Sequence, residues 1–148
     1  MDNLKSKLEI ELKAAMRSND DLRRRTIRMV LSAIKLVEIE KRTTLDDLGI
    51  ITIIQKEIKN RRESIQDAIR ANRADLLSAN EDEIHVLEGF LPSPISNEEL
   101  TNLTKSVILE LNATSLVDMG KVMRMVLSRV QGKANGDQVS QVVRQLLQ

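Results

Sequence analysis

The chain has 148 residues, 23 Lys and Arg against 22 Asp and Glu, one aromatic residue and no cysteine. That length is near the usual size of one domain and can bury roughly two-thirds of its unfolded surface, while the missing cysteine excludes disulfides, thiolate nucleophiles and Cys-based zinc sites. A formal net charge of +1 leaves no global field to draw the protein onto nucleic acid or an anionic membrane, so any polyanion site must be local.

Apolar residues recur at spacings of three and four, with no sustained alternation, and this predicts an all-α fold. A first helix runs from about Leu4 to Arg17 with Leu4, Leu8, Leu12 and Ala15 on one stripe, and Ser18 to Asp21 breaks it and caps the next. The second, about Leu22 to Arg42, carries Ile27, Val30, Ile34 and Val37 on one face and Met29 and Leu36 on nearly the opposite one, the pattern of a central helix. Thr44 to Asp47 matches a capping box and opens a third helix reaching about Asn72, striped by Ile51, Ile54, Ile58, Ile65 and Ile69. Glu57 and Arg61 form an (i, i+4) pair on it in the favourable order. A fourth helix, about Asp75 to Phe90, ends at Leu91-Pro92-Ser93-Pro94, where two prolines disfavour helix.

That break divides the chain into an N-terminal unit of about four helices, residues 1–91, and a C-terminal three-helix bundle, residues 92–148. Ser96 to Glu99 is a second capping box, flanked by Ile95 and Leu100 as a hydrophobic staple, and Leu100, Leu103, Val107 and Leu111 stripe the helix it starts. Ser115 to Asp118 caps a sixth helix lined by Met119, Met123, Val126, Leu127 and Val130, which Gly132 stops. Asn135-Gly136-Asp137 turns the chain into a last helix bearing Val139, Val142, Val143 and Leu146.

Chemistry-bearing constellations are sparse. His85 shares a helix face with Glu81 and Glu88, yet a bundle metal site needs matching ligands from several helices, and one histidine cannot supply them. Glu81, Asp82, Glu83 and His85 read as a solvated face, and no metal or cofactor is expected. Gly132 to Gly136 lacks the spacing of a phosphate loop, and no serine stands in a glycine-flanked nucleophile turn. No catalytic residues are assigned. The opening segment mixes acids and lysines with leucines instead of showing a secretory apolar stretch, and no run approaches the ~18 apolar residues of a membrane span, so the expectation is a cytoplasmic protein without membrane contact.

Charge placement is more informative. The first 91 residues hold 17 cations and 17 anions, whereas from Met119 onward Lys121, Arg124, Arg129, Lys133 and Arg144 face only Asp137, a net +4. Helical spacing sets Lys121, Arg124 and Arg129 opposite Met119, Met123 and Val126, with Lys133 extending the patch into the turn. Such a patch suits phosphate contacts. With Phe90 as the single aromatic, base stacking is disfavoured as the means of recognition.

The segments Arg23 to Arg42, Ile53 to Ile65, VLEGFLP (Val86 to Pro92) and DMGKVMRMVLSRVQGKANG (Asp118 to Gly136) resemble the YqeY family, whose C-terminal part is similar to the tail domain of the B subunit of the glutamine-dependent aminoacyl-tRNA amidotransferases. The sequence departs from that pattern at Gly136, where the tail usually has proline, and at Arg25, where a small polar residue is usual. The resemblance implies tRNA handling rather than catalysis, and together with the charge placement the expectation is a non-catalytic accessory protein of tRNA metabolism that binds the tRNA backbone through Lys121, Arg124, Arg129 and Lys133. Two alternatives stand beside it: a helical protein-interaction module, and a component of an amidotransferase system.

Overall fold

The computed structural model describes residues 3–148, and all of its regular elements are helical, as the periodicity predicts. The chain forms two compact units, one ending at Leu91 and the other running Pro92–Gln148.

The first unit holds α1 (Leu4–Arg17), α2 (Asp21–Lys41), α3 (Asp47–Arg70) and α4 (Ala74–Glu88). Short polar side chains set the starts of α1, α2 and α3, each accepting an N–H that the first turn would otherwise leave free. Asn3 accepts from the Ser6 N–H at 2.8 Å and Asp20 from the Arg23 N–H at 3.1 Å. Asn19 supplies the left-handed residue between the two helices, φ 57°. At α3 the capping residue is Asp46, which accepts from the Gly49 N–H at 2.8 Å, rather than Thr44 as the sequence pattern suggests.

Leu8, Ile27, Val30, Ile34, Ile50, Ile54, Ile58, Leu87 and Phe90 fill the core of this unit. Each fully buried aliphatic side chain of this size contributes about 1.5–3 kcal/mol through removal of its surface from water. The second apolar face of α2 is a correction to the expectation of a central helix: Met29, Leu36 and Ile39 are 48%, 57% and 64% exposed. The stripe of α3 is corrected too, since Ile69 faces solvent and Ala68 is buried.

The second unit comprises α5 (Asn97–Leu111), a 3-10 turn (Leu116–Asp118), α6 (Met119–Val130) and α7 (Gly136–Leu147). Ser96 caps α5 by accepting the Glu99 N–H at 3.1 Å, and Asn135 and Gln138 form a reciprocal capping box at α7. Gln131 and Gly132 take positive φ, 49° and 85°, and end α6 where the glycine signals a stop. The core joins Leu100, Val107, Val122, Val126, Val130, Ala134, Val139, Val142, Val143 and Leu147. Val122 was not on the expected stripe of α6, and Leu127, which was, lies partly in solvent. The Ile95 N–H donates to the Lys133 carbonyl at 2.9 Å, tying the segment before α5 to the α6–α7 turn.

Candidate nucleic-acid interface

The buried row Val122, Val126 and Val130 fixes how α6 is turned in its bundle. At 3.6 residues per turn, Lys121 and Arg124 lie about 140° and 160° around the helix from Val126 and point outward. Both are exposed, and among the described residues neither forms an ion pair. Lys133 is exposed in the turn beyond α6, its backbone held by the Val130 carbonyl at 3.0 Å.

Arg129 is not on that outer face. It follows Val126 by three residues, which places it only about 60° from the buried row. From this flank it reaches α5, where its Nη1 donates to Glu110 Oε1 at 3.0 Å and its Nη2 to Glu110 Oε2. The bidentate geometry holds the Glu110 carboxyl below the ordinary carboxylate range and raises the Arg129 guanidinium further, each through the shared hydrogen bonds. The structure thus brings Lys121 and Arg124 together on one face and sets Arg129 apart with its own counter-ion.

The start of α6 also departs from expectation. Ser115 does not cap α6 directly; it accepts the Val117 N–H at 3.4 Å and heads the 3-10 turn, while Asp118 turns back to accept the Thr114 N–H at 3.0 Å. The result is a braced corner that leaves Leu116 and Val117 exposed. Sequence reasoning treats these two as spacers within a cap, and no local pattern distinguishes an exposed spacer from a staple residue.

In the first unit, His85, Glu81 and Asp82 are exposed, and no group of three or more metal-ligand side chains occurs among the described residues. Glu83 leaves the solvated face assigned to it: its Oε2 accepts from Arg61 Nε at 3.1 Å and its Oε1 from Arg25 Nη2 at 3.3 Å. The arginines at the start of α2 are likewise engaged, Arg23 with Glu11 at 2.9 Å and Arg24 with Asp21 at 2.9 Å. Phe90, the single aromatic, is buried beneath Lys7 and Arg23, whose charged groups stand 5.8 and 5.7 Å from the ring centroid.

Curated relatives from three fungi share this sequence pattern, all named altered inheritance of mitochondria protein 41, mitochondrial. That of Lachancea thermotolerans is 34% identical over 111 residues, 73% of this chain and 59% of the relative. That of Vanderwaltozyma polyspora is 39% identical over 94 residues, 62% of this chain and 51% of the relative. That of Pyrenophora tritici-repentis is 28% identical over 145 residues, 95% of this chain and 79% of the relative. The chain therefore spans only about half to three-fifths of the length of the first two. These names correct the expectation of a cytoplasmic location, because the relatives are named as mitochondrial proteins. The cues behind that expectation separate secreted from non-secreted proteins and do not separate one reducing compartment from another. The family model described as Yqey-like protein matches residues 5–147.

Proposed function

The chain belongs to the YqeY-like family, and from that premise we propose that it is a non-catalytic accessory protein of tRNA metabolism whose C-terminal bundle meets the RNA backbone. The contacts are made by Lys121, Arg124 and Lys133. The observation that carries this reading is the pair Lys121 and Arg124, exposed on one outward face of α6 with no ion pair among the described residues. A free cation releases a condensed counter-ion when it reaches a phosphate, at no cost in a broken salt bridge. Arg129 is a lesser contact, since Glu110 must first let it go. With Phe90 buried, recognition rests on shape and phosphates instead of aromatic stacking.

The test is binding of tRNA to the full chain across a salt series, with double-stranded DNA as control. The panel includes mitochondrial tRNA, because the relatives' names carry a mitochondrial setting. A steep salt dependence with preference for tRNA is expected; no binding at low salt would retire the reading.

A second reading, from a different class, is a protein-interaction module. The exposed apolar residues Met29, Leu36 and Ile39 on α2 favour it, since apolar surface left outside a core often marks a partner. Co-purification of a stoichiometric protein partner without RNA would decide for it.

A further inference from the structure

We propose that Leu116 and Val117, at the corner between α5 and α6, cover the ribose and base of an unpaired nucleotide while Lys121 and Arg124 hold the phosphates beside it. This rests on the RNA reading above and names the part of the RNA that the site takes.

Val117 is 93% exposed and Leu116 46% exposed, on a corner that is not frayed. The Asp118 N–H donates to the Ser115 carbonyl at 3.0 Å, and the Asp118 carboxylate accepts the Thr114 N–H at 3.0 Å. An apolar pair is therefore held out into water by a braced backbone. The 3-10 turn runs straight into α6, so Val117, Lys121 and Arg124 stand at i, i+4 and i+7 on one side of a continuous helical run. Along the axis the cations lie about 7 and 11 Å beyond Val117, two steps of 3-10 rise followed by α-helical rise.

The nearby acids are committed elsewhere. Asp118 is turned to the Thr114 N–H and Glu110 to Arg129, whereas Lys121 and Arg124 have no ion-pair partner among the described residues. An apolar point beside two free cations calls for an occupant that is flat or apolar at one place and anionic next to it. Size selects within that class. A protein partner needs on the order of 800 Å² a side, far more than two side chains present, while one nucleotide fits them. In an A-form duplex the bases are stacked and inaccessible to such a pair, so the nucleotide is one in a loop or bulge, splayed from its neighbours.

The experiment compares an RNA hairpin with an unpaired loop and a fully paired RNA of equal length, each titrated with the full chain across a salt series. The variants are Leu116→Ser with Val117→Ser, and Lys121→Ala with Arg124→Ala. The serine variant should bind the hairpin about tenfold more weakly, with unchanged salt slope and unchanged duplex affinity. The alanine variant should lower the slope on both RNAs. Circular dichroism confirms that each variant is folded, and Val117→Thr, which keeps the branched shape with one hydroxyl, should fall between wild type and serine. If the serine variant binds both RNAs like wild type while the alanine variant weakens both, the corner is not a nucleotide site and the RNA reading stands. Equal losses on hairpin and duplex would also overturn it. If wild type binds neither RNA at low salt, the RNA reading itself fails.

Discussion

Glu83 of α4 accepts a hydrogen bond from Arg61 of α3 at 3.1 Å, at a place where the arginine side chain keeps only 7% of its exposure. Glu57, one turn earlier on α3, takes the other side of the guanidinium at 2.7 Å through its carboxylate and at 3.1 Å through its carbonyl. Nη2 rests 3.5 Å from the sulfur of Met29 on α2. One buried charge thus joins three helices, with its Nε and Nη1 donors taken by two acids and a carbonyl and its Nη2 by the sulfur.

Removing one partner from such a pair leaves an uncompensated buried charge, which costs about 3–5 kcal/mol. Glu83→Ala is expected to approach the lower end of that range, because Glu57 still balances Arg61. Arg61→Met, an apolar side chain of similar length, is expected to cost at least as much as Glu83→Ala, since it leaves two carboxylates, Glu57 and Glu83, without the cation between them. Urea unfolding followed by circular dichroism measures both. If Glu83→Ala were within about 0.5 kcal/mol of wild type, as for an ordinary surface change, the buried network would contribute nothing to stability.

Phe90 supports a second prediction about the same unit. Its ring is buried and lies under Lys7 and Arg23. Phe90→Ala should cost about 3–5 kcal/mol through the cavity it leaves, while Lys7→Ala should cost about 0.5–1 kcal/mol through the lost cation–π contact. Denaturant midpoints report both, and equal costs would contradict the cavity argument.

Much of this was legible in the sequence, because capping residues and apolar spacing act locally. Asp20, Ser96 and Asn135, each within a segment read as a cap or turn, all cap the helices that follow them. What periodicity could not supply is which of two apolar faces finds a neighbour. On α2 the row Ile27, Val30 and Ile34 is covered, and Met29 and Leu36 are not, because the first unit closes on one side of that helix only. Arg61 shows the converse: an arginine spaced for a surface (i, i+4) pair is buried because α4 brings Glu83 to it from 22 residues away. At the candidate interface, Arg129 stands on the flank because three residues past Val126 is less than a full turn, and a long side chain there reaches the acid on the next helix.

The carboxylates Glu110 and Glu38 contribute to the protein's response to acid. Glu110 is held below its ordinary value of 4.5 by its hydrogen bond with Arg129, and Glu38 by the Leu45 N–H first and then by Lys5. Each binds its proton less readily in the folded state than in the unfolded one. Their contribution to stability is therefore complete above the ordinary value of 4.5 and is lost as pH falls through the lower folded-state values. Carbon-detected NMR titration should show both side chains protonating below the ordinary glutamate value of 4.5, and Arg129→Gln should raise the Glu110 midpoint while leaving Glu38 unmoved. A Glu110 midpoint unchanged by that substitution would mean the pair does not persist in solution.

The same pair sets how the cations of α6 should differ toward RNA. Each phosphate neutralised by a free cation contributes about 0.7–0.9 to the slope of log affinity against log salt. Lys121 and Arg124 have no ion-pair partner to surrender among the described residues, so replacing both by alanine should lower the slope by about 1.5. Arg129 holds Glu110 on both of its outer nitrogens, and a contact from it to phosphate would strand that carboxylate beside a polyanion. Arg129→Ala should therefore change the slope by well under one unit. Glu110→Gln frees the guanidinium and should steepen the slope, and only if Arg129 is present. Three equal decrements from Lys121, Arg124 and Arg129 would show instead that RNA opens the Arg129–Glu110 pair at no cost, and that the outward face of α6 has no special standing in the contact.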